Sequence, residues 1–152
     1  MELELIKQSA IFADLTDDEL SHITEICEEQ KFKSGATLFK EGEPGNRLYI
    51  IADGEVRISR DIPGSGEEAL TVLKKGACFG EMSVFDRSKR STDAIANKDC
   101  TLIIITRSDF EIMLDFNREI AYKILWSVVR MLSQRLRVTN DNLRSFLAMS
   151  MF

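Results

Sequence analysis

Near the start of the chain, apolar residues recur with the period of a helix. Leu20, Ile23, Ile26 and Cys27 share one face of a helix predicted over residues 16–30, TDDELSHITEICEEQ. Thr16 and Glu19 have capping-box spacing, and Leu15 and Leu20 stand where a hydrophobic staple closes. Upstream, IKQSAIFADL reads as a short helix or turn that packs Ile11 and Phe12 onto the downstream chain.

From Phe32 to Thr106 the pattern changes to short β-branched and aromatic runs: ATLFK, RLYIIA, EVRISR, ALTVLK and TLIIIT. Pro44 in EGEPGN and Pro63 in DIPGSGEE each stand beside glycine, where tight turns are expected. Evenly spaced short strands of this kind predict a small antiparallel sandwich or roll. The segment GACFGEMSVFDRSKRST, residues 76–92, interrupts it.

Helical period then returns. Ser108 and Glu111 have capping-box spacing at the start of SDFEIMLDF, and Asn117 is placed to cap a second, much longer helix. In that helix Leu125, Val129, Leu132, Leu136, Thr139, Leu143 and Phe146 recur at alternating steps of four and three, a heptad seam of about three heptads. The seam runs on past the length needed to cover the roll, which predicts a homodimer paired through this helix. Packing of the seam back on the sheet is the alternative. The segment LRSFLAMSMF adds apolar surface that a monomer would have to hide.

The predicted architecture is α+β, an antiparallel β-roll flanked by N-terminal helices and a C-terminal helix pair. It is read as one domain over 1–152, with helices in 1–31, the roll in 32–106 and closing helices in 107–152. At 152 residues such a chain buries about two thirds of the surface that its unfolded form exposes. A net charge of −5 disfavours nucleic acid as a partner. Cys27, Cys78 and Cys100 are odd in number and far apart, which suits reduced structural thiols better than a disulfide or a metal site. His22, the only histidine, reads as a surface or packing residue. No apolar run reaches membrane-spanning length, and the acidic start MELELIKQ lacks the parts of a signal peptide. A cytoplasmic protein with no membrane partner is expected.

The chemistry concentrates in residues 79–92. Gly80 followed by Glu81, Met82, Ser83 and Val84 is in the bland reading a turn leading into one helical turn. In the functional reading, the amides that open the turn face an anion, with glycine allowing close approach and Ser83 keeping the next position small. A carboxylate at Glu81 beside an anion needs donors of its own, and sugar hydroxyls supply them. Arg90 supplies the countercharge, because a guanidinium matches a phosphate with paired hydrogen bonds where Lys89 offers a point charge. The combination describes a nucleotide whose phosphate lies close to its sugar.

These residues, with FKSGATLFKEGEPGNRLYIIADGEVRI and its turn glycines Gly35, Gly42, Gly45 and Gly54, resemble the cyclic nucleotide-binding domain family. That family includes the regulatory subunits of cyclic-AMP-dependent kinase, cyclic nucleotide-gated channels and the bacterial catabolite activator protein. FGEMSVFDRSKRST stands in place of its phosphate-binding cassette. The resemblance implies Glu81 as ribose ligand, Arg90 as phosphate ligand, and Gly80, Met82 and Ser83 as the backbone cradle. It places Ser91 where a residue touches the phosphate and, through its hydroxyl, can reach a guanine, and it makes Val72 and nearby strand residues the apolar wall under the base. RLRVTN, residues 135–140, is similar to the dimer helix of the catabolite activator protein, which makes Thr139 and Asn140 candidate base contacts; Thr139 as a register-setting residue is the alternative. The chain departs from the family at Met82-Ser83-Val84, where many members have Leu-Ala-Leu, and at Thr92-Asp93, where Asp93 brings a negative charge near the site that Arg87 and Lys89 offset.

The implied function is that of a non-enzymatic cyclic nucleotide sensor with cyclic AMP or cyclic GMP as ligand and no cofactor or metal. No nucleophile here has a partnered base, so an enzyme is not expected. Two alternatives stand beside it: a relative or fragment of a catabolite-activator-type regulator lacking its DNA-binding part, and a ligand-free scaffold of the same fold. Direct DNA binding by these residues is not expected.

Overall fold

The computed structural model describes residues 3–151; the outermost positions of the predicted 1–152 domain, residues 1, 2 and 152, lie outside the described residues. Two helices lead, α1 (Leu3–Lys7) and α2 (Asp17–Glu25). Five strands follow: β1 (Cys27–Phe32), β2 (Thr37–Phe39), β3 (Arg47–Asp53), β4 (Glu55–Ile62) and β5 (Gly66–Lys74). Then come β6 (Cys78–Phe79), the short helix α3 (Glu81–Asp86), β7 (Asp93–Ala96) and β8 (Cys100–Thr106). Two helices close the described chain, α4 (Arg107–Phe116) and α5 (Arg118–Ser150). The strands form two four-stranded sheets, ordered β1-β8-β3-β6 and β2-β7-β4-β5, and each pairing is antiparallel. This is the α+β roll flanked by helices that the residue pattern predicts.

Strands β3 and β8 read as unbroken apolar runs because both of their faces are buried. Tyr49, Ile51, Leu102 and Ile104 point into the space between the sheets, where they meet Phe39, Val56, Phe79, Ala94 and Ala96. Leu48, Ile50, Ile103 and Ile105 point the other way, onto Ile6, Phe12, Leu20, Ile23, Phe110 and Ile124 from the helices. The middle sheet layer therefore belongs to two cores at once, and α5 is anchored on the outer one by Ile120, Ile124 and Val128.

The capping box at the start of α2 forms as predicted: Glu19 N donates to Thr16 Oγ1 at 3.2 Å, and Thr16 N donates to Glu19 Oε1 at 3.0 Å. Leu15 and Leu20 are both buried beside it. The helix ends at Glu25, however, and Cys27–Phe32 is a strand paired with β8 along its whole length. The roll thus begins before residue 32. Glu28, Glu29, Gln30 and Lys31 are exposed on this edge strand, so their polarity hides the strand while protecting the sheet edge.

Two predicted caps are corrected as well. Thr106, not Ser108, caps α4, its hydroxyl accepting from Asp109 N at 3.3 Å. Asn117 occupies the N-cap position of α5 but makes no side-chain cap bond there; its Nδ2 donates back to Met113 O at 3.0 Å, closing α4 instead. The three thiols are free, and His22 is exposed. Among the described residues no helix is long and apolar enough to cross a membrane.

Candidate functional site

Gly80 ends β6 in the left-handed region, at φ 78°, and opens α3. A β-carbon there would stand 2.8 Å from Nη1 of Arg90 and 3.1 Å from the carbonyl oxygen of Arg47. Both conformation and space therefore require glycine. Gly45 is small for a different reason: its φ is not left-handed, but a β-carbon would overlap the Ser83 side chain and lie 3.2 Å from Cζ of Arg90. The loop before β3 and the first turn of α3 are pressed together at this point.

Arg90 sits behind that contact and is only 5% exposed. Its Nη1 donates to Gly80 O at 2.9 Å and its Nη2 to Arg47 O at 2.7 Å. Its main chain is held too, with Gly42 N donating to Arg90 O and Arg90 N to Glu43 O, each at 2.8 Å. Nε is buried with no partner. None of the ion pairs among the described residues involves Arg90. Desolvation lowers its pKa, opposed by the nearby Tyr49, Glu81 and Glu43. A buried cation held by carbonyls, with a donor to spare, is suited to an anion arriving from outside.

A pocket of about 260 Å³ opens beside Arg90 and the start of α3. Gly80, Glu81, Met82, Ser83, Arg90 and Ser91 all line it, so the structure brings these six candidate positions to one pocket. Glu81 is 5% exposed, and its Oε1 accepts a hydrogen bond from Nη1 of Arg135 on α5. Leu73 and Ile58 form the apolar wall; Val72, the adjacent residue of β5, does not line the pocket and is exposed. Alternation along the strand explains the swap, since neighbours point to opposite faces.

Thr139 and Asn140 are not brought to this pocket within the chain. Both are exposed on α5, and Thr139 Oγ1 donates to Arg135 O at 2.8 Å. The residue of α5 that reaches the pocket is Arg135, one turn earlier, which sequence reasoning missed. A signal was present: Ile120, Ile124, Val128 and Met131 trace the roll-facing side of the helix at steps of four, four and three, and the next step of four is Arg135. Phe39 and Thr92, also in the lining, were missed too.

Arg87 closes α3 with φ 59°, the one left-handed non-glycine residue among those described. Its Nη2 reaches both carboxylate oxygens of Glu111 on α4, at 2.8 and 2.9 Å, and so ties the segment to the closing helices. Cys78 lies in the pocket lining, where burial and then the Glu81 charge push its thiol well up, and burial pushes Cys27 up to about 12. Both are inert thiols at neutral pH.

The profile of the family described as "Cyclic nucleotide-binding domain" matches residues 29–117. The chain is 34% identical over 140 residues to a CRP-like cAMP-activated global transcriptional regulator of Mycobacterium tuberculosis, covering 92% of this chain and 61% of that protein. The crystal structure of the N-terminal domain of a transcriptional regulator from Streptomyces coelicolor superposes with a TM-score of 0.80 at 32% identity, covering 91% of this chain and 94% of that one. The regulatory domain of Toxoplasma gondii PKA with cAMP superposes at 0.68 with 27% identity, covering 73% of this chain and 42% of that one. Fold, cassette and these likenesses agree, and the chain belongs to the cyclic nucleotide-binding domain family.

Proposed function

We propose that this chain is a non-enzymatic receptor for a purine cyclic nucleotide, cyclic AMP or cyclic GMP, acting as a regulatory module in the cytoplasm. Arg90 takes the phosphate together with the backbone around Gly80, Met82 and Ser83, and Glu81 takes a ribose hydroxyl. The observation that carries this reading is the Arg90 guanidinium, buried and without an ion-pair partner, beside a buried carboxylate in one pocket. Ser91, in the pocket lining, is the further contact to phosphate or base in this reading and is compatible with either nucleotide.

The response follows from Arg135. Glu81 is already engaged by α5, so a ribose hydroxyl that claims the same carboxylate favours a different balance of contacts between cassette and helix. Ligand shifts the position of α5 to the extent that it binds the two arrangements unequally. A homodimer through α5 is the second part of the proposal, because every described residue of that helix after Met131 is exposed while Leu132, Leu136, Leu143 and Phe146 continue the seam. Thr139 and Asn140 would reach a nucleotide only within such a pair.

A second reading, the ligand-binding part of a longer transcription regulator, is favoured by one observation: the chain spans 61% of the length of its mycobacterial relative. Both readings share the receptor step, which thermal melting tests. Ligand at about a hundred times its dissociation constant adds about 2.7 kcal/mol, which for a chain of this length raises Tm by roughly 5–10 °C. No shift with either purine cyclic nucleotide at millimolar concentration would leave a scaffold of the same fold as the better account.

A further inference from the structure

Arg90 keeps its charge without an ion pair, and the structure shows what stands in for one. Its Cζ lies 4.2 Å from the ring centroid of Phe39 and 6.0 Å from that of Tyr49. Phe39 is itself braced, 6.0 Å from Tyr49 and 6.2 Å from Phe79, and those two rings stack at 5.0 Å and 8°. Register with β7 shifts between Thr37 and Phe39, an irregularity of the kind that can re-aim a side chain.

The chemical consequence concerns charge. A carboxylate against Arg90 would hold the guanidinium but neutralise it and repel an incoming anion. An aromatic face attracts the cation through its quadrupole and adds no net negative charge, and the attraction is stronger in a desolvated site. We propose that Phe39 is a positioning residue for anion capture, its ring holding the Arg90 guanidinium as an un-neutralised cation at the back of the pocket. The identity of the anion rests on the receptor reading above; the positioning of Arg90 does not.

The test is calorimetric titration with cyclic AMP of the natural protein, Phe39→Leu and Phe39→Tyr, each also combined with Arg90→Ala, using thermal shift for the weakest binders. Phe39→Leu is expected to weaken binding about three- to thirty-fold, and Phe39→Tyr to recover most of that. In the Arg90→Ala background Phe39→Leu should cost less than about two-fold, because its effect passes through the missing arginine. In the nucleotide-free protein the Nε–H resonance of Arg90 should move on Phe39→Leu and stay in place on Phe39→Tyr. Equal losses in both backgrounds, or an unmoved resonance, overturn the proposal and make Phe39 a plain part of the wall. If the natural protein binds neither purine cyclic nucleotide while the resonance still moves, the receptor reading fails and the positioning stands. Phe39→Met, unbranched and flexible enough to fill the space of the ring but without its π face, replaces Phe39→Leu if that variant does not fold.

Discussion

Glu81 and Arg135, fifty-four positions apart, are hydrogen-bonded across the mouth of the pocket, with the carboxylate side chain 6% exposed and the guanidinium side chain 48% exposed. The pair joins the cassette to the long helix, and its two ends are unequally wet.

That inequality predicts an asymmetry. Arg135→Ala leaves a carboxylate buried without its partner, which costs about 1–3 kcal/mol, nearer the lower end because one side of the pair meets solvent. Glu81→Gln keeps the volume and leaves an arginine that water can solvate, so it should cost less. Urea denaturation of the two variants without ligand decides it; equal costs, or the reverse order, would refute the asymmetry.

Arg90 should stand apart from its neighbours in ligand affinity. Removing one partner of a desolvated charge pair costs about 2–5 kcal/mol, so Arg90→Ala should weaken cyclic nucleotide binding by roughly thirty-fold to several thousand-fold. Arg90→Lys should recover only part of the loss, since an ammonium lacks the fork that meets two carbonyls and a phosphate. Lys89→Ala and Arg87→Ala should each cost under about ten-fold, fading with added salt. If either matches Arg90→Ala in a calorimetric series, the phosphate sits elsewhere.

Gly45 and Ser83 offer a steric test of the same site. The β-carbon of Gly45→Ala has to displace Ser83 and press on Arg90, and overpacking of this kind costs about 1–3 kcal/mol. Affinity should fall with stability. The double variant Gly45→Ala with Ser83→Gly should be more stable than the sum of its parts, as read by thermal melting; strict additivity would mean the two residues do not crowd each other.

The exposed seam of α5 predicts self-association at micromolar concentration. Sedimentation should show a dimer for the natural chain and a monomer for Leu132→Asp, whose carboxylate falls inside the seam. A natural chain that stays monomeric at tens of micromolar, with and without ligand, would remove the dimer from the proposal.

Acid should loosen the clamp between the leading helices and α5. Arg130 Nη1 donates to Asp14 Oδ2 at 2.7 Å and holds that carboxyl below its ordinary 3.8. Burial pushes Glu19 up, but hydrogen bonds from Lys123 and Thr16 outweigh it and leave the carboxyl below 4.5. The same bond raises Lys123 above 10.5. A lowered carboxyl stabilises the fold above its ordinary value and loses that contribution as pH falls through the folded one; a raised lysine contributes below its ordinary value and loses it as pH rises through the folded one. The clamp is therefore complete between about pH 5 and pH 10. In urea melts across pH, Glu19→Gln should flatten the acid decline more than Glu28→Gln on the exposed edge strand, and indistinguishable slopes would refute the clamp.

What local chemistry controls was legible in the residues themselves. The Thr16–Glu19 box, the apolar runs of β3 and β8, and the association of Gly80, Glu81 and Arg90 each depend on neighbours within a dozen positions or on spacing alone. Residues 27–32 misled because an exposed edge strand is polar, and helical period continues into it by accident; only pairing with β8 makes it a strand. Thr106 displaced Ser108 as a cap because the end of β8 fixes where α4 can begin. Arg135 against Glu81 and Phe39 under Arg90 join positions more than fifty apart in the chain; the period of α5 turns Arg135 toward the roll, but nothing local names the partner of either residue. Sequence determined which residues carry the charge and where the chain turns. Only the packing of two sheets and a long helix decided which charges are buried, which are paired and which face the pocket, because burial and pairing depend on distances that the folded chain alone defines.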